Sequence, residues 1–200
     1  MPDSPIVLVH GLWDSPSIFN SLVQQLKAKG HSVVAPFFSH KLGRTSLYEL
    51  SEELDLYIST QFKGDEKIDL FGFSMGGLVS RIWLQKLNGA IRTNRFISVG
   101  TPHNGTYTAQ FIPHWLLKGV AEMKRGSSLI KELNSDLKDL KKVDCMSFFC
   151  LWDLMVFPGW EAVLPLGSSS LIPVLTHKGL INSPVSLDIL SKAILNERNQ

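Results

Sequence analysis

Lys67-Ile68-Asp69-Leu70-Phe71-Gly72-Phe73-Ser74-Met75-Gly76-Gly77-Leu78 is the stretch on which the fold turns. The short apolar run up to Phe71 reads as a buried strand, and apolar residues at helical spacing resume from Met75 to Leu87. Between them, Gly72-Phe73-Ser74-Met75-Gly76 fits G-x-S-x-G, a pattern that gains meaning only from this strand, turn and helix around it. The glycines have a steric reason, because a nucleophile on so tight a turn leaves no room for a Cβ against the neighbouring strand and helix. Gly77 extends that clearance. Ser74 is then displayed at a helix N-terminus, whose partial positive charge helps to hold a nearby oxyanion. The competing reading is a glycine-rich turn of some other α/β protein, and the surrounding chain decides between the two.

Outward from that turn, strands alternate with helices. Ile6-Val7-Leu8-Val9 is a strand, and Ile18, Leu22 and Leu26 repeat at helical spacing until Gly30. Ser32-Val33-Val34-Ala35 is the next strand, and Ser46 with Glu49 forms a capping box that opens a helix through Leu50, Leu54 and Tyr57. Arg95 to Val99 supplies a fourth strand. This β-α-β-α-β-α-β order implies a parallel sheet covered by helices on both faces. Farther on, Thr106 to Arg125 is apolar and irregular, Ser127 to Leu140 reads as a polar helix, and Met146 to Trp152 as a fifth strand. A last strand is expected within Ser169 to Leu175, before a helix capped by Ser183 with Pro184 at its first position.

The 200 residues, 44% hydrophobic and free of repeats or linkers, suit a single domain over 1–200. A net charge of +2, from scattered basic and acidic residues, lacks the concentrated positive footprint of a nucleic-acid binder. The opening Met-Pro-Asp-Ser-Pro has no basic leader, and no stretch is apolar enough to span a bilayer. Cys145 and Cys150 point to opposite faces of one expected strand and read as buried, reduced thiols, so a cytoplasmic location is expected. Neither has a neighbouring histidine, which argues against zinc.

A serine hydroxyl is a weak nucleophile and needs a base within hydrogen-bond reach and an acid to orient that base. Where a serine stands on such an elbow the chain order is serine, acid, histidine. Asp153, at the carboxyl end of the fifth strand, and His177, after the last strand, occupy those places. Asp136, Asp139 and Asp144 precede the strand and read as solvated charge. His31 and His40 are expected at the surface, His114 as a weaker spare base, and His103 as a residue that shapes the pocket. The Met75 amide supplies half of an oxyanion hole, and the Leu12 amide, beyond His10-Gly11, the other half. His10 reads as a buried structural hydrogen-bonder.

Val9-His10-Gly11, Gly72 to Gly77, Gly100-Thr101-Pro102-His103-Asn104-Gly105, Asp153 and His177 together resemble small, capless bacterial lipases and esterases of the α/β-hydrolase superfamily, and look closest to the short cyanobacterial lipases. The resemblance spans almost the whole chain. It implies a minimal α/β-hydrolase fold, with a mainly parallel central sheet flanked by helices and no large cap domain, and hydrolysis of acyl lipids such as glycerolipids or galactolipids. It carries Ser74, Asp153, His177 and the Leu12 and Met75 amides to nucleophile, acid, base and oxyanion donors, with no metal or organic cofactor. It departs at Leu12-Trp13, where many lipases have further glycines, which leaves the shape of the acyl pocket open.

Trp13, His103, Phe111, Trp115, Phe157 and Trp160 are the expected pocket residues. The apolar stripe within Thr106 to Arg125, flanked by Lys118, Lys124 and Arg125, suits either an interfacial flap touching membrane lipid or a helix packed on the sheet. A thioesterase or acyltransferase would use the same triad, and a non-catalytic scaffold that binds lipid or protein would be expected to have lost it. The sequence leaves the oligomeric state open.

Overall fold

A computed structural model describes residues 4–113 and 115–195. His114 and the first three residues of the N-terminal stretch read for a leader lie outside them. Six strands, β1 (Ile6–Val9), β2 (Val33–Val34), β3 (Ile68–Phe73), β4 (Thr93–Val99), β5 (Asp144–Phe149) and β6 (Ser168–Leu171), form one parallel sheet in the order β2-β1-β3-β4-β5-β6. The chain winds outward from β1 to β2 and then in the opposite sense from β3 onward. Between β1 and β3 two crossovers leave in opposite directions and open a crevice at the carboxyl ends, where ligands bind in open parallel sheets.

Side-chain alternation sorts the core into two layers. Val7, Val9, Leu70 and Phe96 face α2 (Leu47–Gln61) and α3 (Met75–Lys86), whereas Ile6, Leu8, Phe71, Phe73 and Ile97 face α1 (Asn20–Ala28) and the last helix. Ser46 caps α2, its hydroxyl accepting the Glu49 amide at 3.2 Å, which is one half of the expected capping box. Ser183 caps the last helix in the same way through Ser186. Cys145 lies in the first layer and Cys150 in the second, both free, with burial pushing their thiols up to about 12 and about 11. No helix among the described residues is long and apolar enough to cross a membrane.

Several expected boundaries shift. β5 runs over Asp144–Phe149 rather than Met146 to Trp152. Its neighbour β4 ends at Val99, opposite Phe148, so Leu151 and Trp152 have no partner and turn outward. Asp144 thereby becomes a strand residue, in register with Arg95. β6 stops at Leu171, two residues ahead of Pro173. The helix expected from Ser127 to Leu140 is shorter, α5 (Ser128–Ser135) followed by a single 3-10 turn at Leu140–Lys142. Within the irregular 106–125 stretch lies one short helix, α4 (Lys118–Glu122), and two further helices close the chain, α6 (Gly179–Asn182) and α7 (Pro184–Ile194).

Candidate active site

From Ile68 to Leu84 every residue is buried except Ser74. The exception follows from the backbone. Ser74 stands between β3 and α3 at φ 55° and ψ −126°, a region that L-residues rarely enter. Its amide donates to the Val99 carbonyl at 2.8 Å, and its own carbonyl accepts from the Gly77 amide at 3.1 Å, so both neighbours hold the turn. A Cβ on Gly76 would lie 2.2 Å from the Val9 carbonyl oxygen, and one on Gly72 2.4 Å from the Gly77 α-carbon. The glycines are what let strand and helix close on the serine.

Asp153 and His177 come from loops that follow β5 and β6. Asp153 is buried; its Oδ1 accepts the Met155 and Val156 amides, each at 2.9 Å, and its Oδ2 accepts His177 Nδ1 at 2.6 Å. Because a carboxylate only accepts, the shared proton fixes His177 in the Nδ1–H form and leaves Nε2 with its lone pair free. Nε2 is buried and has no hydrogen-bond partner among the described residues. The imidazole stacks on Phe73 with ring centroids 4.8 Å apart. Gly100, at φ 55°, lets β4 pass close beneath, since a Cβ there would come within 2.9 Å of the ring.

Ser74 and His177 share the wall of one cavity of about 440 Å³. Leu12 and Trp13 line it beside Ser74, reached through Gly11, whose missing Cβ would sit 2.9 Å from the Ser74 Cβ. The far wall is apolar, from Ala109, Ile112, Val120, Met123 and Val156. Met75 is the first residue of α3, so its amide has no carbonyl one turn earlier to bond. His10 is pinned as neutral imidazole, Nε2 accepting the Phe38 amide at 3.1 Å and Nδ1 donating to the Gly11 carbonyl at 3.0 Å. Burial also lowers its pKa.

Of the expected pocket residues, Trp13 alone lines the cavity. His103 is fully buried and lies away from it, its Nε2 2.9 Å from Ser98 Oγ, with burial and the Arg81 charge holding its pKa well below the usual range. Its carbonyl accepts from Arg81, a buried guanidinium that also reaches the Leu133 carbonyl and Asn134, and so ties the loop after β4 to α3 and α5. Phe111 and Trp115 point outward, 89% and 84% exposed, because Ile112 takes the inward position of that turn. Phe157 and Trp160 are about half exposed and likewise stand outside, the cavity being met by Met155 and Val156 instead. His40, expected at the surface, is buried beside His10, with ring centroids 5.9 Å apart. Sequence reasoning passed over Asp14, Thr106 and Thr108, all of which line the cavity. For Asp14 the signal was its place three residues after Gly11.

The Aspergillus fumigatus lipase B structure superposes with a TM-score of 0.79 at 16% identity, covering 96% of this chain and 52% of that one. The mature form of Bacillus licheniformis lipase BlEst2 gives 0.74 at 19%, covering 97% and 94%. At such identities the likeness is one of fold, and it makes this an α/β-hydrolase fold, with no large cap among the described residues. In sequence, the lysosomal thioesterase PPT2 of Mus musculus is 29% identical over 116 residues, 56% of this chain. The chain spans 38% of that relative's length. The profile of the palmitoyl protein thioesterase family matches residues 5–144, which contain Ser74 and stop short of Asp153 and His177. A match over more than half of its length decides the question: the chain belongs to the palmitoyl protein thioesterase family.

Proposed function

We propose that this chain is a serine hydrolase of fatty-acyl esters and thioesters, working as a single domain with Ser74, His177 and Asp153 as its triad. The observation that carries the reading is the Asp153–His177 pair, whose free Nε2 belongs to the same cavity as a strained, accessible serine. In this reading His177 Nε2 takes the Ser74 proton as Oγ attacks the acyl carbonyl, and Asp153 stabilises the imidazolium. The Leu12 and Met75 amides hold the oxyanion. Collapse expels the alcohol or thiol, which takes the proton from His177, and water activated by the same base then releases the fatty acid from Ser74. The acyl chain lies along Ala109, Ile112, Val120 and Met123, in a cavity of a size usual for small-molecule sites.

Thioesters are placed beside oxyesters because of the family match, since the acyl half of the two substrates is identical. Glycerolipids and galactolipids, suggested by the sequence resemblance, enter as oxyester candidates. Around the cavity mouth, Trp13, Phe111, Trp115 and Leu154 project into solvent with Lys118, Lys124 and Lys178 nearby in the chain, and this rim is read as a peripheral contact with a lipid surface. The free, buried thiols of Cys145 and Cys150 suit a reducing compartment such as the cytoplasm.

The test is labelling with a fluorophosphonate, followed by turnover of acyl oxyesters and thioesters graded in chain length, diacylglycerol and galactolipids included. Covalent modification at Ser74, with faster turnover of longer chains, is expected. Modification at another serine, or none with no turnover, overturns the assignment.

A further inference from the structure

Asp14 is out of place in this cavity. It is a half-buried carboxylate in an otherwise mostly apolar wall, and among the described residues its carboxyl makes neither a hydrogen bond nor an ion pair. Its Oδ2 and the Ser74 Cβ lie 3.1 Å and 2.9 Å from the one point where a Cβ on Gly11 would stand, so the carboxylate borders the proposed nucleophile across that glycine. The turn that puts it there is built in: the Asp14 amide donates to the Gly11 carbonyl at 3.4 Å, and Trp13 is held at φ 62°. His177 and Lys178 line the same cavity. Nδ1 of His177 is taken by Asp153, and the Lys178 side chain is exposed and solvated. His10 and His40 also act on its charge, and His10 is spent on Gly11 and Phe38. Burial raises the pKa of Asp14 while these neighbours pull it back, as expected of a carboxyl that water reaches poorly.

A negative charge beside a serine whose reaction generates an oxyanion works against that reaction unless something offsets it. Lys178 and, once protonated in the reaction, His177 offset it in part through space, but neither forms an ion pair with it. We propose that the substrate does: Asp14 forms a leaving-group subsite for an alcohol or thiol bearing a positively charged nitrogen, while the acyl chain occupies the apolar wall. This rests on the hydrolase reading above. It makes Asp14 a residue that selects among substrates by leaving-group charge, favouring ammonium groups and disfavouring phosphate-bearing or sulfonate-bearing ones.

Two measurements test it. The first compares kcat/KM for three octanoyl thioesters with leaving groups of similar size, thiocholine, mercaptoethanol and mercaptoethanesulfonate. Wild-type protein is expected to rank them in that order with about tenfold between the extremes, and Asp14→Asn to collapse the ranking. Equal rates in the wild type, preference for the sulfonate, or a ranking that survives Asp14→Asn overturns the proposal. The second uses Ser74→Ala protein, which needs no turnover, and measures calorimetrically the binding of octyltrimethylammonium against octylsulfonate. Tighter binding of the ammonium, lost when Asp14→Asn is added, supports the subsite even if none of the thioesters is hydrolysed, in which case the hydrolase reading alone fails. Equal binding of the two amphiphiles overturns the subsite whatever the thioester rates show.

Discussion

The elbow over 68–84 and the lip made by 106–123 with 151–160 border the same cavity and are built in opposite ways. In the elbow a single partly buried residue, Ser74, sits in otherwise buried chain, and the glycines around it are fixed by contacts that no side chain could survive. The lip is mostly loop, and isolated bonds hold it together. Thr106 Oγ1 donates to the Met155 carbonyl at 3.1 Å and accepts the Phe157 amide at 3.0 Å, Thr108 reaches the Leu154 carbonyl at 2.9 Å, and Arg125 pairs with Glu161 at 2.8 Å. One wall is rigid by exclusion of alternatives. The other is held by a few polar links and leaves large apolar side chains in water. The proposed nucleophile stands on the first wall and contact with variable substrates falls to the second, where buried Asp153, held by the Met155 and Val156 amides, is the exception.

The largest effect that would break this contrast lies in the elbow. Ser74→Ala is expected to lower kcat on a nitrophenyl acyl ester by about a million-fold while the protein stays folded. Ser74→Gly should be as inactive yet more stable than Ser74→Ala by about 1 kcal/mol in thermal unfolding, because glycine tolerates φ 55° where a Cβ is strained. Equal stability of the two would mean that the turn stores no strain. Asp153→Asn comes next. It removes the acceptor that fixes the His177 tautomer, and a fall in kcat of about ten-thousand-fold is expected, with circular dichroism unchanged. A loss under tenfold would show that the lip side positions the base without this carboxylate.

The same contrast governs how much could be read in advance. The six-strand parallel sheet, the serine caps at Ser46 and Ser183 and the turn at Ser74 were legible because each rests on local pattern: short apolar runs between helical segments, a hydroxyl three residues before an amide, glycines at fixed offsets. Asp153 and His177 could be placed by chain order alone, since both follow the carboxyl ends of strands. The lip could not be read so. Whether Phe111 or Ile112 faces inward depends on how the 106–112 turn is tied to 154–157 by Thr106 and Thr108, a link made across some 50 residues of chain that leaves no periodic trace. His103 misled for a related reason: its loop follows β4 at the right sheet edge, but Arg81 and Ser98 draw it into the interior. Asp14 was missed because its spacing from Gly11 suggests a turn but does not report that the carboxylate folds back over that glycine.

The smallest expected effect concerns the lip and sharpens the contrast from the other side. Phe111 and Trp115 are almost fully exposed and are not among the residues that line the cavity. The double change Phe111→Ser with Trp115→Ser should therefore alter unfolding free energy by no more than about 0.5 kcal/mol, as surface substitutions do. Turnover of a soluble short-chain ester should stay at the wild-type rate. What should fall, by about tenfold, is turnover of an acyl substrate held in anionic vesicles, because two large apolar groups no longer leave water on contact with the bilayer. Sedimentation with the same vesicles separates binding from catalysis, and the variant should remain in the supernatant where the wild type pellets. If soluble and vesicle-held substrates lose activity equally, the two aromatic residues support the cavity itself, and the lip must then be counted with the rigid wall rather than set against it.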